Sequence, residues 1–148
     1  MNTSLAAQQF LIDIFWSFSS QVHEFKESER LQQIKTGVST ELVDAMRATF
    51  DLSDAHLAIL LNTSRSTLKR RKVQHKRLDS IASERLDRIA LIGQHALEVF
   101  ESREAATRWM SAPSRSLGHS IPLMLCSTEL GASQVRRVLH ALEWGGSA

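Results

Sequence analysis

The residues best suited to chemistry in this sequence are cations that crowd into one short segment. Residues 55 to 78 contain no Asp or Glu. They hold seven of the chain's 18 Lys and Arg, so the rest of the chain carries 11 bases against 16 acids, a net charge of −5. A concentrated positive surface is typical of proteins that contact nucleic-acid phosphates. The seven cations are Arg65, Lys69, Arg70, Arg71, Lys72, Lys76 and Arg77.

The same segment has the pattern of a helix-turn-helix unit. Ser53 or Asp54 can cap a first helix, and Ser64 can cap a second. A small residue, Ala58, lets two helices cross closely, and Asn62 four positions later tolerates the positive φ of a tight turn. Leu68 is the expected inward anchor of the second helix, and Ser39 the expected cap of a preceding one. The sequence therefore predicts a helix-turn-helix region over residues 37 to 78.

If this unit binds DNA, its second helix lies in the major groove with its N-terminal residues facing base edges. Arg65, Ser66, Thr67 and Arg70 are then the candidates for base contacts, because Arg can pair bidentately with guanine. The other cations of the segment are better placed to hold phosphates. The alternative is a solvated basic helix without a ligand. The predicted DNA-binding residues are Ser64, Arg65, Ser66, Thr67, Lys69, Arg70, Arg71 and Lys72.

The elements that must position this unit are predicted to be helices throughout. The 148 residues include two Pro, six Gly and no Tyr, and no alternation of apolar and polar residues persists, which argues against a sheet-rich fold. Within the N-terminal region, residues 1 to 36, apolar residues in steps of three and four predict a helix from Asn2 to Phe25. That helix either packs on the core or, given its density of aromatic residues, forms a dimer. The charged residues 27 to 35 are expected to be a linker or a helix end.

Residues 79 to 148 are predicted to form a second, smaller helical domain. A long amphipathic helix over residues 81 to 100 has Gly93 on its apolar stripe, where a missing side chain would let another helix approach. A short helix and a loop from Ser114 to Ser120 follow, and Thr128 caps the last helix. Gly145 is a natural helix-ending residue. The apolar positions of the last helix are Leu130, Val135, Val138, Leu139 and Leu142.

An enzymatic or metal-binding role has little support in the sequence. There is no Gly-rich phosphate loop, no His-Glu-x-x-His and no Cys-x-x-Cys. The six histidines are scattered singly without ligand spacing, so neither a metal nor a cofactor is predicted. Cys126 lies in an apolar helix and is expected to be a buried structural thiol. The histidines are His23, His56, His75, His95, His119 and His140.

The single cysteine and the N-terminal composition predict a cytoplasmic protein. One Cys allows no internal disulfide, which fits a reducing compartment. The longest apolar run, residues 10 to 18, is interrupted by Asp13 and Ser17, and it is shorter than the roughly 20 residues needed to span a bilayer.

From Leu78 to Gly145 the chain resembles the toxin-binding domain of the Xre/MbcA/ParS antitoxin family. The order and spacing of many single residues carry the resemblance, and the Ser66-Thr67-Leu68 run before Arg70-Arg71 also looks like the family's recognition helix. Two positions depart from the pattern, since His119 replaces the second Gly of a Leu-Gly-Gly and Met110 replaces a Leu. The matching residues are Ser83, Arg85, Leu86, Arg88, Ala96, Phe100, Ala106, Trp109, Pro113, Leu117, Gly118, Pro122, Leu123, Thr128, Glu129, Gly131, Val135, Leu139 and Gly145.

The resemblance implies an antitoxin of a type II toxin–antitoxin pair. Such proteins bind and neutralise a cognate toxin that acts on NAD, of the RES type or related to ADP-ribosyltransferases, and repress their own operon. The expected partners are therefore this toxin, operator DNA and a second copy of the chain, within a higher toxin–antitoxin complex. The alternative is a plain transcriptional regulator whose C-terminal helices dimerise or bind an effector.

Two features are candidates for the toxin contact. The loop around Gly118 and the small, flexible C-terminal tail could each reach into a cleft of the toxin. Trp109 and Trp144 are either core residues or partner contacts, and the core is favoured for Trp109. The predicted toxin-binding residues are Trp109, Ser116, Leu117, Gly118, His119, Trp144, Gly145, Gly146 and Ser147.

Overall fold

A computed structural model describes residues 2 to 145, and within them the prediction of an all-α fold is confirmed. The described residues form nine α-helices, one short 3₁₀ helix and no β-strand. The helices are α1 (Asn2–Glu24), α2 (Glu27–Thr36), α3 (Glu41–Phe50), α4 (Asp54–Leu61), α5 (Arg65–Val73), α6 (Ser80–Phe100), α7 (Arg103–Ser111), α8 (Pro122–Leu125) and α9 (Glu129–Glu143), with the 3₁₀ helix at Arg115–Leu117.

Capping side chains define where most of these helices begin. Ser53, Ser64 and Thr128 each accept a hydrogen bond from a backbone N–H in the first turn of the helix that follows, as the sequence predicted. Asp79 and Ser102 cap α6 and α7 in the same way. The predicted cap at Ser39 accepts a hydrogen bond from the Glu41 N–H at 3.2 Å, although Thr40 stands directly before α3. Each cap satisfies backbone donors that the helix itself leaves unpaired.

The central helix, α6, packs against α1, α2, α4, α7 and α9. It is buried on several faces, so it sits in the core instead of presenting one side to water. A single continuous hydrophobic core runs from α1 to α9. The buried positions of α6 are Ala82, Ser83, Leu86, Asp87, Ile89, Ala90, Ile92, Gly93 and Ala96.

The aromatic residues of α1 are buried inside this chain. Phe15 and Trp16 have ring centroids 5.2 Å apart at 83°, and Phe15 meets Phe50 of α3 at 5.1 Å and 82°. These edge-to-face contacts are favourable beyond the area they bury. The structure thus supports core packing as the reason for the aromatic density, while Leu5 and Phe10 remain exposed. Dimerisation through α1 stays a prediction.

Residues 27 to 35 form most of helix α2, so the expectation of a linker or helix end was wrong. No residue of α2 is buried, which is why no apolar pattern revealed it. Its attachment to α6 includes an ion pair in which Arg30 donates to both carboxylate oxygens of Asp87, at 2.6 and 3.3 Å. Asp87 is almost fully buried and Arg30 is partly exposed. The bidentate geometry compensates the cost of burying the carboxylate.

One apolar residue is exposed, and one expectation about a small residue needs correction. Leu130 is an apolar position of the last helix, and it is 74% exposed at the start of α9. Gly93 was predicted to be needed for a close helix contact, yet a Cβ there would lie 3.4 Å from the Phe15 ring, an ordinary contact. Two other glycines do permit a close approach: a Cβ at Gly131 would lie 2.0 Å from the backbone oxygen of Leu125, and one at Gly37 would lie 2.4 Å from that of Leu78.

Replacing Arg30 by Ala should destabilise the fold, because it leaves a buried carboxylate without its counter-ion. We expect a loss of about 3 kcal/mol in the free energy of unfolding, measured by urea denaturation. Arg103→Ala is the matched control, since its ion pair with Asp13 joins two exposed side chains and should contribute less than about 1 kcal/mol. Equal losses in the two variants would show that the Arg30 pair has no special role.

Gly131→Ala should destabilise the junction of α8 and α9, because the new methyl group would collide with rigid backbone. The expected loss is about 1–3 kcal/mol, measured by thermal unfolding. Gly93→Ala is the control in another helix: the gain in helix propensity, about 1 kcal/mol, offsets a mild contact with Phe15. A Gly131→Ala protein as stable as the parent would contradict the tight approach seen here.

Candidate functional site

Helices α4 and α5 form the predicted helix-turn-helix, and the turn between them has the expected geometry. Asn62 ends α4 in the left-handed conformation at φ 51°, which Asn tolerates better than most residues. Leu57, Leu60 and Leu61 are buried beneath the unit, while Leu68 of α5 is partly buried against the core. The second helix therefore rests on the core through its inner face and exposes the rest.

The outer face of α5 is a continuous cationic surface. Arg65, Ser66, Lys69 and Arg70 lie along one exposed side of the helix, at positions that share a face by their spacing. Within the described residues, the side chains of Lys69 and Arg70 have neither an ion-pair partner nor a hydrogen-bond partner. These two cations are thus available for a ligand.

Sequence reasoning missed Val73 and Gln74, which extend this surface at its C-terminal end. Val73 is 70% exposed although it is apolar. An exposed apolar side chain next to cations suits contact with a thymine methyl group, and a Gln amide suits adenine. The signal that could have revealed them is their spacing of four from Lys69 and Arg70.

The other predicted cations of α5 are engaged within the chain. Arg65 Nε lies 3.0 Å from Asp54 Oδ2, and Lys72 Nζ lies 2.5 Å from Asp44 Oδ2. Arg71 donates to the backbone oxygen of Arg77 at 2.7 Å. These side chains are oriented by local partners, which the sequence could not show because the acids come from α3 and α4.

The Asp54 carboxylate at the start of α4 forms ion pairs with two arginines, Arg47 and Arg65. A hydrogen bond from Arg47, followed by the nearby charge of Arg65, holds the pKa of Asp54 below its usual value. The carboxylate is therefore ionised at neutral pH. It holds Arg65 at the first turn of α5, the part of a recognition helix that faces bases.

Ser64 and Thr67 serve the helix cap. The Ser64 hydroxyl accepts a hydrogen bond from the Thr67 N–H at 3.1 Å and donates one to Thr67 Oγ1 at 2.8 Å. Their role as DNA-binding residues stays a prediction, and the structure shows that their hydroxyl groups already have partners.

The predicted toxin-binding loop is a closed turn. Ser114 N–H donates to the oxygen of Ser120 at 3.0 Å, and His119 N–H donates to the oxygen of Ser114 at 2.8 Å. Gly118 and His119 follow each other at φ 62° and 65°, a conformation that Gly adopts freely and His does not. The loop is less permissive at His119, as the departure from the family pattern suggested.

This loop faces the last helix. Ser116, Leu117 and Gly118 line a shallow depression together with one side of α9. The structure therefore brings together three of the predicted toxin-binding residues and places neither His119 nor Trp109 in that lining. The α9 residues of the depression, which sequence reasoning missed, are Gln134, Arg137, Val138 and Ala141.

The two candidate tryptophans have different surroundings. Trp109 is partly buried, with its ring centroid 5.5 Å from that of Phe100, which fits a core residue. Trp144 is 86% exposed at the end of α9. It follows Ala141 by three positions, so it continues the helix side that lines the depression. Gly145 has φ 86°, while the predicted contacts Gly146 and Ser147 lie outside the described residues.

Two arginines of α6 connect the helix-turn-helix to the C-terminal helices. Arg85 donates to the backbone oxygens of Ile59 and Leu60 near the end of α4, at 3.2 and 3.3 Å. Arg88 donates to the backbone oxygen of Cys126 at 2.9 Å and to Glu84 at 2.7 Å. These two motif residues therefore join α6 to the elements on both sides of it.

The single cysteine of the chain, Cys126, is a fully buried free thiol. Burial raises the pKa of the Cys126 thiol to about 12, so it is protonated at neutral pH and unsuited to act as a nucleophile. Across residues 2 to 145, no helix combines the length and the apolar character that crossing a membrane requires. The fold brings together three potential metal ligands, His95, His140 and Glu143, which the spacing of residues along the sequence did not reveal.

Comparison with known protein families finds a matching domain in each half of the chain. Residues 26 to 91 match the antitoxin Xre-like helix-turn-helix domain. Residues 95 to 145 match the antitoxin Xre/MbcA/ParS C-terminal toxin-binding domain. The two matches meet within α6, whereas the sequence predicted a boundary between residues 78 and 79, and that division stays a prediction.

Two relatives carry the same name. An antitoxin Xre of Yersinia enterocolitica is 29% identical over 116 residues, which is 78% of either chain. An antitoxin Xre of Photorhabdus laumondii is 33% identical over 64 residues, which is 43% of either chain. Because both domains are matched in order along one chain, the protein belongs to the Xre-type antitoxins, with a helix-turn-helix domain followed by a C-terminal domain of the toxin-binding type.

Proposed function

We propose that this protein neutralises a cognate NAD-targeting toxin, RES-like or ADP-ribosyltransferase-like, and represses its own operon through the helix-turn-helix. The observation that carries the proposal is the pair of family matches on one chain, each coinciding with an exposed surface of suitable chemistry. The protein acts by binding, without catalysis of its own. The partners are the toxin, operator DNA and a second copy of the chain.

The DNA-binding surface is the outer face of α5. Lys69 and Arg70 supply positive charge that no acid of the described chain neutralises, and Ser66 lies between Arg65 and these cations on the same side. Arg70 pairs with a base edge, and Lys69 contacts a phosphate. A homodimer would place two such helices on half-sites about 34 Å apart.

The toxin-binding surface combines the end of α9 with the loop after α7. Trp144 presents a large aromatic side chain to solvent, and aromatic residues contribute much of the affinity at protein interfaces. The adjacent depression offers Arg137 and the 3₁₀ turn. The tail that begins at Gly145 is the segment that we propose enters the toxin's NAD cleft.

A plain transcriptional regulator whose C-terminal helices dimerise or bind an effector is the alternative. The depression beside α9 is shallow and open, which suits a protein surface better than a small molecule, because small-molecule sites enclose most of their ligand. Co-purification with the product of an adjacent gene for a RES-like or ADP-ribosyltransferase-like protein would separate the two functions.

Arg70→Ala should weaken binding to the operator and relax its sequence preference. The expected loss of discrimination at the contacted base pair is about 1–3 kcal/mol, measured by fluorescence anisotropy on operator and mutated duplexes. Lys69→Ala should instead weaken binding to all sequences alike and lower the slope of log K against log salt by about one.

Arg108→Ala is the matched control for both variants, because Arg108 is an exposed cation on α7, outside the proposed DNA surface. It should leave operator affinity and the salt slope unchanged. If Arg70→Ala and Arg108→Ala bind every duplex equally well, the outer face of α5 does not contact DNA.

Trp144→Ala should impair neutralisation of the toxin, because it removes the most exposed aromatic residue of α9. We expect an affinity loss of about 2 kcal/mol or more, with NAD consumption restored in a mixture of toxin and antitoxin. Deletion of residues 145 to 148 should also restore NAD consumption if the tail enters the cleft.

Leu130→Ala is the control on the same helix, since Leu130 is also exposed and apolar but lies at the opposite end of α9. It should neutralise the toxin like the parent. Unchanged inhibition by both Trp144→Ala and the truncated protein would reject the end of α9 and leave the loop as the contact.

A further inference from the structure

The C-terminal end of α9 and the middle of α6 share a cluster of three metal-binding side chains. His140 and Glu143 lie one turn apart on α9, and His95 approaches them from α6. Glu143 Oε2 lies 3.3 Å from His95 Nε2 and 3.5 Å from His140 Nδ1. The ligand atoms of all three residues lie within 4.8 Å of one another.

These separations are close to those of a tetrahedral zinc site. With metal–nitrogen and metal–oxygen bonds of about 2.0–2.2 Å, two ligand atoms in tetrahedral geometry are about 3.3–3.5 Å apart. Both distances from Glu143 already meet this requirement. Only the two imidazoles must approach each other further, and His140 is exposed, so its ring has room to turn.

We propose that His95, His140 and Glu143 bind a divalent transition-metal ion, with Zn²⁺ as the best match. Two imidazoles and one carboxylate are a donor set that zinc accepts, and the fourth position stays open to water or a partner side chain. Imidazole donors disfavour Mg²⁺ and Ca²⁺, which prefer oxygen ligands. The site is separate from the cationic face of α5 and from the depression beside α9.

The consequence of metal binding is structural. The ion would join the last turn of α9 to α6, since His95 and His140 are 45 positions apart in the sequence. Glu143 directly precedes the exposed Trp144, so a bound ion would hold the end of α9, and with it the start of the C-terminal tail, in one orientation. This inference does not depend on the identity of the toxin.

The test is isothermal titration calorimetry of Zn²⁺ into the full-length protein without a purification tag. We expect one saturable site per chain. His140→Ala and Glu143→Gln should each weaken its affinity at least about tenfold, by removing a direct ligand. Both positions are exposed, so these variants should keep the fold, which circular dichroism can verify.

His23→Ala is the matched control, because His23 also pairs with a carboxylate, Glu98, at 3.5 Å on the surface but has no third ligand. Its Zn²⁺ affinity should equal that of the parent. A second readout is the tetrahedral absorption spectrum of Co²⁺, which should be lost in His95→Ala. Absence of a saturable site in the parent, or equal affinity in all four variants, would overturn the proposal.

Discussion

The packing of α6 is the constraint on which the rest of the structure depends. A helix surrounded by five others must bury whatever polar groups it carries, and α6 buries a carboxylate and a hydroxyl. Asp87 is matched by Arg30 of α2. Ser83 accepts a hydrogen bond from Val38 N–H at 3.0 Å, while Leu78 N–H bonds the Val38 oxygen at 2.9 Å. The two ends of the helix-turn-helix region are thereby joined where α6 begins.

The cations of α5 fall into two groups: some are held by partners within the chain, and the others are available to a ligand. The sequence shows seven cations without an acid among them, but α3 and α4 bring Asp44 and Asp54 to their side. Ionic pairs on a surface contribute little to stability, so their main effect is to restrict where Arg65 and Lys72 point. Among the cations of α5 in the described chain, Lys69 and Arg70 have neither an ion-pair partner nor a hydrogen-bond partner, so the proposed DNA contacts centre on these two.

Much of the fold follows from signals that act over a few residues. Caps at Ser53, Ser64 and Thr128, the left-handed Asn62 and the first-turn Pro122 are local choices of backbone conformation, so their sequence patterns suffice. Helix α2 was not predicted because none of its residues is buried, and because the ion pair that helps to attach it to α6 joins residues 57 positions apart. The sequence did not predict the histidine cluster or the depression beside α9, because each is formed by elements that are distant in sequence. Leu130 is exposed although it is apolar, because the first turn of an amphipathic helix can project beyond the core it covers.

The connections made by Arg85 and Arg88 bear on how such antitoxins can be recombined. Arg85 donates a hydrogen bond to the end of α4, and Arg88 donates one to the segment before α9. The two arginines are three positions apart on α6. The helix-turn-helix domain and the C-terminal domain are therefore joined by a continuous hydrophobic interior instead of a linker. A chimaera that joins the first domain of one relative to the second domain of another must keep the residues that pack on both sides of this boundary, including the partners of α6 in α1 and α4. Specificity for DNA and for a toxin can change at the exposed surfaces, but the two halves are inherited as one packed unit.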